Sequence, residues 1–398
     1  MTRYAAAVPD VAVVGGGIIG AACAYELARA GARITLIERD ELAAGASGRN
    51  QGWFVLPEDR VLEPMARATL PEYLDVATSA AFPVWIDPEP VGHLLVALES
   101  DDAPRAQPAL ASAAAQGVSI RSLDAAELHE VEPAISPNAM AGWLLNQGHR
   151  LDPAALTVAL ALAAKALGAD IRHHLRVRAF IGEGDAVRGV MTDDGPIDAD
   201  TVVIAAGPSS TSLLDPIGID MQVSGARGWI VRVSSSTASL RHLIEHAGWR
   251  DSPERLAAVE RPSAARVAAD AMPQAEVGAL IHLHPDGTVL IGSSRGAWIT
   301  PEPEDPSVPR RLLAAAIRLV PSLAETRVLS TWWGIRPITP DERPVVGSVR
   351  DGLVVATGHG SEGIILGAGT AKLVTSIVMR DPPPFDPTPF DPFRFEEA

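Results

Sequence analysis

A chain of 398 residues is long for one core and fits two interleaved domains; with 47% hydrophobic and 21% charged residues it can bury sizeable cores and is not disordered. Its formal charge of -16 argues against nucleic acid and anionic membrane surfaces as partners, because either would repel it. A single cysteine, Cys23, excludes an intrachain disulfide and a cysteine metal cluster, and no metal site is expected.

The run Val11-Ala12-Val13-Val14 predicts a buried strand, followed by a glycine turn, Gly15-Gly16-Gly17-Ile18-Ile19-Gly20, that opens an alanine-rich helix over residues 18–30. A second strand, Ile34-Thr35-Leu36-Ile37, ends on Glu38 and Arg39. Gly15 allows the tight turn, Gly17 lets the backbone approach a pyrophosphate, and Gly20 lets the helix pack close to the strand. Phosphates then sit over the helix N-terminus at Ile18 and Ile19. Glu38 lies 18 residues past Gly20, where its carboxylate can accept from both ribose hydroxyls of an adenosine, which disfavours a 2′-phosphate and hence NADP. The pattern is a dinucleotide site. The apolar run Val11–Leu27 contains Gly15 to Gly17 and Glu26, so it reads as this buried unit and not as a membrane span. With no convincing leader before the strand, a cytoplasmic protein is expected, with peripheral membrane contact left open.

The polar segment Ala46-Ser47-Gly48-Arg49-Asn50-Gln51-Gly52 can lay backbone N–H groups and the Ser47 hydroxyl along the rest of a long cofactor. From Leu56 to about Trp143, Pro57, Pro64, Pro71, Pro83, Pro88 and Pro90 punctuate what reads as short elements. Asp152-Pro153 opens a helix to about Leu167. Residues 171–207 hold a strand pair with a turn at Gly182–Asp185, then a buried strand, Thr201-Val202-Val203-Ile204, ending in Ala205-Ala206-Gly207. Alternating runs such as Trp229–Val233 and Ala279–His284 predict an antiparallel sheet between about Ile217 and Leu323. Leu353–Thr357 followed by Gly358-His359-Gly360 repeats the strand-to-glycine design, and a proline-rich tail starts at Asp381. Three such junctions suggest one extended cofactor threaded through a discontinuous domain.

As a set and in order, GGGIIG with Glu38, Ala46 to Asn50, Leu151-Asp152-Pro153, Ile204 to Gly207, Asp286 to Gly292, Gly334-Ile335-Arg336-Pro337 to Pro344-Val345-Val346-Gly347, and Gly358-His359-Gly360 with Gly363-Ile364 resemble the D-amino acid oxidase superfamily of FAD-dependent amine oxidoreductases, which includes glycine oxidases, sarcosine oxidases and D-amino acid dehydrogenases. The resemblance spans nearly the whole chain. It implies an α/β chain, α+β overall, with a discontinuous Rossmann-like FAD-binding domain (1–55, 145–215 and 325–398) and an interleaved antiparallel-sheet substrate domain (56–144 and 216–324). It implies FAD held non-covalently, since no cysteine lies near the C-terminal glycine motif. A hydride leaves the carbon alpha to the amine of an amino acid or N-alkyl amino acid for flavin N5, and the imine hydrolyses. Oxygen, a quinone or another carrier takes the electrons.

By the same resemblance, Arg336 grips a substrate carboxylate, for which a guanidinium is suited by its fixed charge and bidentate geometry. Gly334, Gly358, Gly360, Ser361, Gly363 and Ile364 approach the flavin, and Arg49 and Asn50 lie near flavin and pyrophosphate. Val177 holds adenine through its backbone, while Ala206 and Gly207 close the strand end. His359 either stabilises negative charge on reduced flavin or shapes its loop. Two departures stand out. The only tyrosines are Tyr4, Tyr25 and Tyr73, so the substrate-domain tyrosine of several relatives is missing and Trp229, Trp298, Trp332 or Trp333 is expected to line the pocket. Neither Lys165 nor Lys372 sits in a matching oxygen-activating motif, which tilts the expectation towards a dehydrogenase or a slow oxidase. An apolar or modest-sized carboxylate is the expected substrate. Oxidation of a 2-hydroxy acid, with His149, His282 or His284 as base, is an alternative; a flavin-bearing subunit of a hetero-oligomer is another.

Overall fold

The computed structural model describes residues 8–234, 239–249, 275–296 and 305–396. Two sheets dominate. The first has six strands in the order Val345–Arg350, Leu353–Thr357, Thr201–Ile204, Asp10–Val14, Arg33–Ile37, Asp170–Arg172, all parallel except the antiparallel edge Val345–Arg350. Its strands are apolar on both faces because both are covered. Val11, Val13, Ile34, Leu36 and Val203 pack with residues of the helices Ile18–Arg29, Glu63–Ser79, Pro153–Ala166 and Gly363–Met379. Ala12, Val14, Ile37, Val202 and Ile204 pack with Val177, Val187 and Val190 of a three-stranded sheet, Val177–Glu183, Ala186–Thr192 and Gly195–Asp198.

Local chemistry explains the ends of these elements. The first helix runs Ile18–Arg29, and the Asp152 carboxylate caps the helix Pro153–Ala166 by accepting from Ala155 N–H at 2.9 Å. Proline in the first turn needs no N–H. The proline-punctuated region departs from expectation here: Glu63–Ser79 is a 17-residue helix with Pro64 in its first turn and Pro71 inside.

The second sheet has eight strands in the order Val328–Ile338, Ser224–Val233, Val289–Arg295, Glu276–Leu283, Leu243–His246, His93–Ala97, Ala141–Leu145, Ile120–Asp124. Leu243–His246 and His93–Ala97 are parallel and the other pairs antiparallel. Val231, Ile281 and Ile291 pack against Val308, Leu312, Ala316 and Leu319 of the helix Ser307–Leu319. Gly228, Ile230 and Leu280, of the opposite parity, face the first sheet across a cavity. One boundary read from the sequence moves. Val328–Ile338, placed with the cofactor segments, is instead hydrogen-bonded along its length to Ser224–Val233 and forms the edge of the eight-stranded sheet.

Candidate functional site: a long cleft between two sheets

The parallel strands Asp10–Val14, Thr201–Ile204 and Leu353–Thr357 end side by side, so Gly15, Ala205–Gly207 and Gly358–Gly360 meet at one edge. Ligands of open α/β sheets bind at such carboxyl ends. Gly15 has φ +116°, and a Cβ there would stand 2.4 Å from Ala205 O; a Cβ on Gly20 would stand 1.8 Å from Gly15 O. Only glycine permits this turn and this helix approach.

A cavity of about 1340 Å³ starts at this edge. It exceeds the few hundred to about 1,000 Å³ of an ordinary small-ligand site. Its wall includes Gly15, Gly17, Ile18, Ile19, Glu38, Arg39, Ser47, Arg49, Asn50, Gln51, Gly52, Val177, Ala206, Gly207, Gly334, Arg336, His359, Gly360, Ser361, Gly363 and Ile364. Residues from across the chain therefore share one cleft. Gly20, Gly48 and Gly358 are not on that wall but shape it from behind: a Cβ on Gly48 would meet Ala43 O at 2.4 Å, and one on Gly358 would meet Thr339 Cγ2 at 2.6 Å.

At one end, the Glu38 carboxylate accepts from Gly16 N–H at 2.6 Å and Asp40 N–H at 2.9 Å. Arg39 donates to Ser209 Oγ at 3.1 Å. The Ser47 hydroxyl accepts from Ile18 N–H at 2.9 Å, tying the polar segment to the start of the first helix, whose N-cap Gly17 offers no side chain. Asn50 donates to Ala46 O (3.1 Å) and Ser47 O (2.8 Å) and accepts from Gly52 N–H (2.9 Å). Gln51 donates to Leu280 O at 2.7 Å, and Arg49 to Ala44 O at 2.8 Å and Trp333 O at 3.3 Å, so this segment stitches the two sheets together.

On the same wall, Arg336 of the edge strand donates to Ser294 O at 3.0 Å and Ser293 Oγ at 2.9 Å. The helix Gly363–Met379 points its N-terminal residues Gly363 to Ile365 at the cavity, giving it a positive dipole end. His359 is 2% exposed, with Nε2 3.0 Å from Thr370 Oγ1, and burial holds its pKa down at about 3. Its hydrogen bond to Thr370 ties the glycine loop to the helix that follows it.

The base candidates for a hydroxy acid also fall away. None of His149, His282 and His284 lines the cavity. His149 Nδ1 is 2.8 Å from Asp87 O. His282 is fully buried, accepts from the Trp53 indole at 2.6 Å, and has its pKa lowered to about 3 by burial, then by Arg150, His284 and Arg232. Among the expected tryptophans Trp333 lines the wall, Trp229 is 7% exposed and packs in the core, Trp332 lies outside the wall, and Trp298 lies outside the described residues. Neither Lys165 nor Lys372 lines the cavity, and Lys372 pairs with Glu72 at 2.6 Å. Sequence reasoning missed Trp53, Glu245 and Trp249 on the wall. Trp53 directly follows the polar segment, and Glu245 is a lone acid after the apolar pair Leu243-Ile244; both signals were present.

A βαβ glycine turn, an acid at the end of its second strand and a second sheet closing a long cleft define a flavin-dinucleotide oxidoreductase. The chain belongs to the FAD dependent oxidoreductase (DAO) family, whose model matches residues 10–377. It is 27% identical over 389 residues to glycine oxidase from Pseudomonas aeruginosa, covering 94% of this chain and 96% of that protein. It is 27% identical over 394 residues to the bifunctional protein ThiO/ThiG of Trichormus variabilis, covering 93% of this chain but 52% of the relative, so the chain spans about half the length of such bifunctional relatives. In fold it is similar to the crystal structure of glycine oxidase from Geobacillus kaustophilus, with a TM-score of 0.83, 24% identity, and coverage of 98% of this chain and 99% of that one. An L-proline dehydrogenase from P. horikoshii has a TM-score of 0.79 at 19% identity, covering 98% of each chain.

The cleft fits FAD. Glycines stand where a Cβ would fill the turn, two helix N-termini open on the cavity, and an acid sits at the nucleotide end. Glu38 would hold the ribose, Gly15 to Ile19 the pyrophosphate, Val177 the adenine, and Gly334, Gly360 and Gly363 the ring system. The only cysteine, Cys23, is buried in the first helix, so no thiol reaches the cleft. No helix among the described residues is long and apolar enough to cross a membrane.

Proposed function

We propose that this chain oxidises the carbon–nitrogen bond of an amino acid or N-alkyl amino acid. The observation that carries the reading is Arg336: a guanidinium on the cleft wall, seated over Gly228. The flavin, when bound, supplies the hydride acceptor. Arg336 binds the substrate carboxylate and so fixes which hydrogen of the adjacent carbon faces the acceptor. Ile230, Leu280, Trp53 and Trp333 line the same cavity with apolar surface, which helps to exclude water. Gly363 to Ile365 bring a helix N-terminus to the place where negative charge develops. The imine product leaves and hydrolyses in water. The glycine oxidases among the relatives support this chemistry, and the placing of His149, His282 and His284 off the cavity wall speaks against the hydroxy acid. The six-stranded sheet with its helices acts as the FAD-binding part, the eight-stranded sheet as the substrate part.

Anaerobic reduction of the FAD-loaded chain by a panel of D- and L-amino acids, N-methyl amino acids, simple amines and 2-hydroxy acids tests the reading. Bleaching of the visible flavin bands by α-amino carboxylates supports it; bleaching by hydroxy acids alone defeats it. Readmitting air then separates oxidase from dehydrogenase by the rate of reoxidation.

A further inference from the structure

We propose that Glu41, His173 and His174 form a binding site for a divalent transition-metal ion of the zinc class, beside Glu38 at the rim of the cofactor cleft. The three offer a carboxylate oxygen and two imidazole nitrogens, all within 4.8 Å of one another, and all three residues are exposed. Glu41 Oε1 is 2.9 Å from His174 Nε2, and Glu41 Oε2 is 3.7 Å from His173 Nδ1. Among the described residues the Glu41 carboxylate pairs with these two rings and with no arginine or lysine. Glu41 and His174 line the cleft together with Glu38.

No local spacing announces the cluster, because the acid and the histidine pair come from loops far apart in sequence. The fold joins them. The strands Arg33–Ile37 and Asp170–Arg172 are parallel neighbours and end side by side. Their hydrogen bonding continues past both ends: Glu38 N–H donates to Arg172 O at 2.8 Å, Leu175 N–H to Glu38 O at 2.9 Å and His174 N–H to Asp40 O at 3.2 Å. Consecutive side chains of an extended strand point to opposite sides. His174 instead has φ +57°, a left-handed conformation uncommon for a residue with a side chain. Its ring stands beside that of His173, with centroids 4.8 Å apart, so that both imidazoles reach Glu41.

The donor set selects the ion. Two imidazoles and a carboxylate suit zinc, nickel and copper, whereas magnesium and calcium prefer shells of oxygen. An ion about 2.1 Å from each donor holds tetrahedral ligand atoms about 3.4 Å apart. The separations of 2.9 and 3.7 Å bracket that figure, and side chains at the surface can rotate to close the remainder. Three protein ligands leave a fourth position for water. The formal charge of -16 favours the approach of a cation.

The test is calorimetric titration of the FAD-loaded chain with zinc after treatment with a chelator, joined to electron paramagnetic resonance of the copper(II) form to count nitrogen ligands. One equivalent of zinc and a copper signal split by two nitrogens are expected. His173 is off the cavity wall, so His173→Ala removes a donor without touching the cleft. It should weaken zinc binding at least about tenfold with flavin content unchanged, and Glu41→Gln should weaken zinc to a similar extent. Zinc binding that is absent, or that neither variant alters, overturns the site, as does a copper signal without two nitrogens. Each of these readouts is independent of which substrate reduces the flavin.

Discussion

Gly228 lies directly under the Arg336 guanidinium: a Cβ at that position would stand 2.1 Å from Nη1 and 2.6 Å from Cζ. The pair is built into the sheet, since Gly228 faces Gly334 and Ala226 faces Arg336 across neighbouring strands. Gly228→Ala must therefore push the guanidinium off its seat on Ser293 and Ser294. The expected outcome is a drop of tenfold or more in kcat/KM for α-carboxylate substrates with FAD content unchanged, read from steady-state kinetics and the visible spectrum. Unaltered kinetics would show that the seat is irrelevant to binding.

Arg336→Leu removes the charge rather than moving it. KM for carboxylated amines should rise and kcat/KM fall by well over tenfold, while simple amines without a carboxylate lose little. Equal losses for both classes would point to a general structural role.

Glu38 holds two backbone N–H groups and faces the cavity at its nucleotide end. Glu38→Ala should weaken FAD retention by at least about tenfold, measured by reconstituting the apoprotein and following flavin fluorescence, because both acceptor oxygens are lost. Retention at the level of the unmodified chain would displace Glu38 from the ribose role.

Acid should unfold this protein partly through its histidines. His359 and His282 titrate near 3 in the folded chain because burial disfavours their charged forms, against about 6.5 unfolded. The unfolded state therefore binds more protons below that value: stability is full above pH 6.5 and falls as the pH drops towards 3. The melting temperature should decline between pH 6.5 and 4. His359→Asn should flatten the decline, and a slope equal to that of the unmodified chain would contradict the assignment.

Cys23 has no exposed surface and burial pushes its thiol pKa up. Iodoacetamide should leave the native chain unlabelled at neutral pH and react only on unfolding. Stoichiometric labelling of the folded protein would mean that the first helix opens readily.

Much of the dinucleotide half was legible because its requirements are local. Gly15, Gly17, Gly20 and Glu38 follow from a turn, a backbone approach and a hydrogen-bonding distance within one short unit. The substrate half was less so. The segment 325–398 reads as part of the cofactor domain, and only the pairing of Val328–Ile338 with Ser224–Val233, about a hundred residues earlier, assigns that strand to the second sheet. Glu245 and Trp53 approach the cleft through the parallel pairing of Leu243–His246 with His93–Ala97 and the bridging of Trp53–Phe54 to His149–Arg150. No spacing along the chain encodes such meetings. His359 lies in the loop where the sequence placed it, and its depth and its contact with Thr370 are set by packing.

The pairing of Thr201–Ile204 with Leu353–Thr357 has a consequence for biogenesis. The first strand, helix and second strand are complete once residue 38 has been made, yet the shelf that receives the rest of the dinucleotide closes only when the strand at 353 and the helix at 363 have left the ribosome. N-terminal segments emerge first during synthesis, and contacts so distant in sequence form slowly. Flavin capture should thus be a late event in synthesis.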